Sequence, residues 1–201
     1  MHTFTKYFVL TVAVILASCV AHGQEKDPKY IGHDQCKVCH NKKPQGSQWA
    51  VWKEMKHAHA FDALKSDAAK KIAAERGLAK PPHEEAQCVK CHVTAYDVET
   101  METPSKIKPA DSVQCETCHG PGSDHLKDGR DVMFKKKTAE EVDWMANLKV
   151  VEEANCLACH NEESPTWNPE QFTLEDGTKV GFNFEQAAKI VAHPDPTKPK
   201  E

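Results

Sequence analysis

Arginine is nearly missing from this chain: Arg76 and Arg130 are the only two in 201 residues. With 26 basic against 30 acidic side chains there is no cationic excess, which excludes a phosphate-reading nucleic-acid surface. Aromatic residues are scarce as well, seven Phe, four Trp and three Tyr, and mean hydropathy is −0.64. The length suits one domain or two small ones, yet the side chains supply little apolar material for a core. Long hydrophobic runs are also lacking. The best, residues 7–17 (YFVLTVAVILA), falls short of the ~20 residues that span a bilayer. It follows Lys6 and leads into small residues, the pattern of a secretory leader.

Two cleavage sites compete in that leader. Leu16-Ala17-Ser18-Cys19 resembles a lipoprotein signal, with Cys19 acylated as the new first residue, whereas Ala21-His22-Gly23 suits ordinary cleavage before Gln24. Either cut removes Lys6 and no acid, so the net charge moves from −4 to −5. The expected organisation is a leader over 1–23, a single domain over 24–193 and a disordered tail over 194–201. The expected location is outside the cytoplasm: periplasmic, lipid-anchored at the envelope through Cys19, or extracellular.

What is abundant is cysteine followed by histidine. With Cys19 set aside, the other eight cysteines fall into four identical frames: Cys36-Lys-Val-Cys39-His40, Cys88-Val-Lys-Cys91-His92, Cys115-Glu-Thr-Cys118-His119 and Cys156-Leu-Ala-Cys159-His160. Two thiols three positions apart on one turn form thioethers to the two vinyl groups of a haem, and the adjacent histidine then lies beneath the iron. Zinc sites, disulfides and thioredoxin-like pairs also use paired cysteines, but none of them requires a histidine directly after the second one. The frames therefore predict four haem c groups, attached through the eight cysteines, with His40, His92, His119 and His160 as proximal iron ligands. Unequal intervals of 47, 22 and 36 residues between frames exclude a tandem duplication.

The opposite iron faces call for further ligands, and the mature chain offers His33, His57, His59, His83, His125 and His193, with His22 added if cleavage is at Cys19. The spacing predicts a helix over 48–64 that carries His57 on one stripe with Ala50, Ala60, Phe61 and Leu64. His59 points away from that stripe, beside Trp52 and Met55. His125 lies six residues past His119, and five intervening residues reach only ~20 Å, too little to round a haem edge, so it is expected on a different haem. Gly120 and Gly122 suit a tight turn there. His193 ends a helical stretch over 184–193 that Pro194 stops. The distal candidates are thus His57, His125 and His193. His33 and His83 read as solvated loop residues, and Met55, Met101, Met133 and Met145 as gap-fillers.

Elsewhere the pattern predicts a helix over 67–76 closed by Gly77, a capping box at Thr138-Ala-Glu-Glu141 opening a helix to about Val150, and a short hairpin arm over 93–101. Residues 77–87, 106–114 and 161–183 read as long loops with no core period. The fold class expected is mainly α with long irregular loops, organised around four covalently bound haems.

These residues resemble the tetrahaem cytochrome c-554 family, known as the periplasmic electron acceptor of hydroxylamine oxidoreductase in nitrifying bacteria. The resemblance rests on four frames in order, on Trp52-Lys53 ahead of His57, and on Cys115-x-x-Cys-His-Gly-Pro-Gly closed by His125. It covers residues 36–125 well and the C-terminal third loosely. It implies His125 on the first haem, His57 on the third and His193 on the fourth, and it leaves the second haem, at His92, without a protein ligand on its far side.

Three functions emerge as expectations. The first is an electron carrier with no catalytic residues, passing electrons between redox partner proteins such as a periplasmic or membrane oxidoreductase, with no nucleic acid and no membrane contact beyond a lipid anchor. The second is a reductase of a small nitrogen oxide at an open second haem, with His83 or nearby acids as proton donors. The third is a homo-oligomer or conducting filament in which His33 or His22 ligates a neighbour's iron.

Overall fold

The structure, a computed structural model, describes residues 27–96 and 107–195. The leader, Cys19 and the cleavage sites lie outside the described residues, as do Met101, most of the tail and all but the first four residues of the expected hairpin arm.

Among the described residues, nine short helices carry the fold: α1 (His33–His40), α2 (Gln48–Lys53), α3 (Ala60–Ala63), α4 (Asp67–Glu75), α5 (Ala86–His92), α6 (Cys115–His119), α7 (Ser123–Met133), α8 (Glu153–Leu157) and α9 (Phe184–Val191). The longest has 11 residues, so none is stable alone and each depends on what it lies against. The mainly helical class expected from the sequence is what the chain adopts. The first three haem frames occupy α1, α5 and α6. The fourth begins on α8, and its turn is continued by His160 N–H donating to the Cys156 carbonyl at 2.9 Å.

Apolar burial by the polypeptide is as sparse as the composition implies. One cluster stands out, Phe61, Leu64, Val89 and Val93, with Cys88 and Tyr96 against it, and it surrounds the second frame. The most deeply enclosed side chains are polar. Ser112, Gln114, Thr94 and Glu116 are 0%, 2%, 2% and 3% exposed. Ser112, Gln114 and Glu116 alternate along the segment that enters α6, and each ties a different part of the chain to it. Phe61 N–H donates to Ser112 Oγ (3.1 Å), His33 N–H to Gln114 Oε1 (2.7 Å), and the N–H groups of Ile31, Gly32 and Gly122 to the Glu116 carboxylate. Thr94, just past the second frame, donates through Oγ1 to the Ser112 carbonyl (3.2 Å), accepts from Gln114 N–H (2.7 Å) and meets Thr117 Oγ1 (2.8 Å). Ser112 holds φ +60° and ψ −149°, a costly backbone state that persists because these bonds surround it.

Four expectations need correction. The helix over 48–64 is broken: α2 ends at Lys53, Met55 is extended, a 3-10 turn spans Lys56–His59, and α3 comes next. Two long-range bonds turn the chain there, Trp52 Nε1 donating to the Val113 carbonyl (2.9 Å) and Val113 N–H donating to the His57 carbonyl (3.1 Å). The capping box at Thr138 forms, but it opens only a 3-10 turn, Ala139–Glu141, because Val142 is extended. The chain beyond Val142 runs back to the third frame, where Lys149 N–H donates to the His119 carbonyl (2.8 Å). Helix α9 stops at Val191, and Ala192 is extended, so His193 lies beyond the helix rather than on it. Finally, the loop over 161–183 contains a small antiparallel hairpin, β1 (Phe172–Thr173) and β2 (Lys179–Val180), with Phe172 opposite Val180 and Thr173 opposite Lys179. Its signal is Asp176-Gly177, a turn pair between short β-formers, with Gly177 at φ +86°. The helix over 67–76 forms as expected, capped by Ser66 and followed by Gly77 at φ +65°.

Candidate haem centres

Each frame histidine is oriented by its own surroundings. His40 Nδ1 donates to Gln48 Oε1 (3.1 Å) and His92 Nδ1 donates to the Ala60 carbonyl (2.6 Å). Since neither oxygen can donate, Nδ1 carries the proton and Nε2 keeps its lone pair, the tautomer that a metal requires. His119 is half-buried, and its enclosed Nδ1 has no hydrogen-bond partner among the described residues.

Three of the four frame histidines face a second imidazole. His40 and His125 stack with centroids 6.0 Å apart, His160 and His57 meet edge-on at 6.0 Å, and His119 and His193 lie at 5.8 Å. Two imidazoles that share one metal ion, each with a nitrogen about 2 Å from it, hold their centroids roughly 6 Å apart. The residues present therefore fit an iron between each pair. Their charge state fits as well. Burial, then the neighbouring His160, lowers His57 below the usual histidine range. Burial, then His193, His125 and His40, does the same for His119. Burial with His40 lowers His125, and burial alone lowers His160. Neutral imidazole is the form that ligates.

The pairing differs from the order that the resemblance implies. His125 does face the first frame, but His57 faces the fourth, at His160, and His193 faces the third, at His119. The reason is the broken helix: the turn at Lys56–His59 carries His57 away from α2. Among the described residues no imidazole faces His92. His83 lies instead against the Phe61 ring (6.4 Å, perpendicular) and beside Glu84 (3.7 Å).

The other histidines are also accounted for. His59 Nε2 donates to the Lys53 carbonyl (3.1 Å) and is exposed. His33 is not a solvated loop residue. It begins α1, lies 5.0 Å from the Trp52 ring and accepts from Trp49 Nε1 (3.3 Å), and its side chain is 16% exposed.

The eight frame cysteines form no disulfide among the described residues, and they approach one another across frames. Cys36 lies beside Cys115, Cys159 beside Cys91, and Cys118 beside Cys156. The Lys90 ammonium on the second frame is 2.8 Å from the Glu163 carboxylate just past the fourth.

Several supporting residues carry no sequence signal, because they reach the frames from distant parts of the chain. The Trp144 carbonyl accepts from His125 Nδ1 (3.1 Å), and the Trp144 ring stands 6.0 Å from that imidazole. Gln48 is a second case, bonding His40 with one atom and the Pro194 carbonyl with the other (3.0 Å), so it joins the first frame to the segment of His193. Phe182, brought in by the hairpin, stacks on His160 at 5.9 Å. Gly120 suits the expected turn: at φ +75°, a Cβ there would meet the Lys149 side chain at 2.9 Å.

Comparison with known proteins agrees. Residues 35–120 match the family described as cytochrome c554 and c-prime. Cytochrome c-554 of Nitrosomonas europaea is 29% identical over 198 residues, covering 90% of this chain and 81% of that protein. A solved structure of the reduced state of cytochrome c554 from the same organism is 28% identical, with a TM-score of 0.47, covering 82% of this chain and 78% of that one. Frames, family match and similarity together make the chain a c-type cytochrome, similar to cytochrome c-554, that carries four haem c groups and serves in electron transfer.

Proposed function

We propose that the protein is exported, matures at Cys19 or Gln24, and uses one tetrahaem domain over residues 24–193 to carry electrons between redox partner proteins. The observation that carries this reading is the set of three facing imidazole pairs. In it, His40, His119 and His160 are the near ligands and His125, His193 and His57 the far ones, with His92 alone on the second haem. The haems, when bound, supply one-electron chemistry at potentials that ligands, burial and nearby charge set. The chain's own part is to attach, orient and enclose. Two fixed imidazoles at one iron keep their places in both oxidation states, so little reorganises on electron transfer.

The cysteine contacts support an order for the four attachment points that is not the order of the chain: first beside third, third beside fourth, fourth beside second. Electrons would enter at one end of that series and leave at the other. The acidic balance, −5 after loss of the leader, suits docking against a basic patch on the partner. An electron paramagnetic resonance spectrum of the oxidised holoprotein tests the ligand set. Three low-spin irons and one high-spin iron are expected; four low-spin irons, or more than one high-spin, would overturn it.

A second reading is favoured by His92 having no facing imidazole among the described residues. An iron with an open position can bind and reduce a small ligand such as a nitrogen oxide, with His83 or Glu84 as the proton source. Nitric oxide added to the ferrous protein should then alter one haem spectrum of the four; no change removes this reading.

A further inference from the structure

We infer that Glu116 is a positioning residue that holds the first and third haem frames together as a buried anion and thereby sets the potentials of those two haems below the other two. The side chain is placed by its neighbours alone. Oε1 accepts from Ile31 N–H (2.9 Å) and Gly122 N–H (2.8 Å), and Oε2 from Gly32 N–H (2.8 Å) and, more weakly, from Ile31 (3.1 Å). Ile31 and Gly32 lead directly into α1, the first frame. Gly122 begins the turn out of the third frame, and Glu116 itself is the residue after Cys115. One carboxylate therefore pins the two frames whose cysteines, Cys36 and Cys115, touch.

The bonding pattern also selects the charge. The backbone groups that bond the two oxygens are all donors, so a proton on either oxygen would face another N–H. Burial pushes the carboxyl above the usual carboxylate range, and the three N–H groups hold that rise in check. No lysine, arginine or histidine forms an ion pair with it among the described residues. A buried anion without a cation is expensive unless something positive offsets it. Ferric haem c with two neutral imidazoles is such a group, and its positive charge disappears on reduction. An anion beside two such irons stabilises their oxidised forms and lowers their potentials, and it does so strongly because water is excluded.

The inference rests on one contact of the order proposed above, first beside third. A redox titration of the holoprotein resolved into four one-electron steps tests it, with the E116Q and E116D variants. E116Q should raise two of the four potentials and leave the other two in place. E116D, which keeps the charge but shortens its reach, should lower the melting temperature while leaving all four potentials near the starting values. A merely structural role predicts the reverse for E116D, with potentials moving as the frames loosen. If one potential alone moves in E116Q, the two frames are not neighbours and the proposal falls with the order it rests on. If none moves, or all four move together, it falls through the charge. Should E116Q not assemble with four haems, infrared difference spectra of the unmodified protein decide. A carboxylate stretch shifting over the last two reductions supports the proposal; its absence, or a protonated-acid band, overturns it.

Discussion

The surroundings of His92 differ from those of the other three frame histidines in two ways at once. His40, His119 and His160 each face an imidazole about 6 Å away and have few buried apolar neighbours. His92 faces none among the described residues, yet its frame sits on the polypeptide's best apolar cluster, around Phe61 and Val89. With the ligands proposed above, a frame with a second ligand would be cross-linked through the iron to a distant segment, α1 to α7 for example, and would need little side-chain burial. A frame without one has to be held by burial and by the 2.6 Å bond from His92 to the Ala60 carbonyl. Facing imidazoles and apolar contact are thus distributed as alternatives: three frames have the first, and the second frame has the other.

The largest expected effect removes the metal altogether. A chain that cannot attach haem should be mostly unfolded, with weak far-ultraviolet helix signal and rapid proteolysis, because helices this short do not persist alone. Residues around α3 and α5 should be the last to be cleaved, and a compact, cooperatively melting haem-free form would break the comparison.

Next come the distal histidines. H57A, H125A and H193A should each convert one low-spin iron to high-spin, reducing the low-spin count from three to two, as read by paramagnetic resonance. H83A and H59A should leave the count unchanged. A change of spin state in H83A would show that the second frame has a ligand after all and erase the difference between the centres.

A smaller effect is expected at the junction of the second and third frames. T94V removes the hydroxyl that accepts from Gln114 N–H and leaves that buried donor unsatisfied. The expected cost is about 1–3 kcal/mol of stability, measured by chemical denaturation of the holoprotein, with the spin states unchanged.

The smallest effect is a pH dependence confined to one paired centre. Asp128 lies on α7, one turn from His125, and bonds Lys137 Nζ (2.9 Å) and Asn147 Nδ2 (2.8 Å). The Lys137 ammonium holds its carboxyl below the usual range. A depressed folded-state value means that this contribution is present above the unfolded value, about pH 4, and is lost as pH falls through the lowered one. D128N should therefore flatten part of the acid limb of a melting-temperature profile, and the first haem's spectrum should be the one that changes with it.

Much of the site was legible residue by residue because covalent attachment is local: two thiols and a histidine within five positions suffice, wherever the frame ends up. The capped helix after Ser66 and the turn at Gly120 followed from short-range rules for the same reason, whereas Phe61 and Leu64, expected on one stripe with His57, pack against Val89 and Val93. The break after Lys53 did not, because it is imposed by Val113, some 60 residues away. Nor did the enclosure of His33 between two tryptophans, or the truncation of the helix expected after Thr138, where the chain is drawn back to His119.

By itself, then, the sequence determined that four haems are carried, pointed to the eight cysteines and four near histidines that would hold them, and showed how little apolar side-chain material the polypeptide has. Only the tertiary structure decided which distant imidazole faces which frame, putting His57 with His160 and His193 with His119, and which frames lie side by side. Attachment depends on spacing along the chain. Pairing depends on a buried polar segment, Ser112 to Thr117, whose long-range hydrogen bonds reach residues 18 to 85 positions away, a distance over which no periodicity or motif carries information.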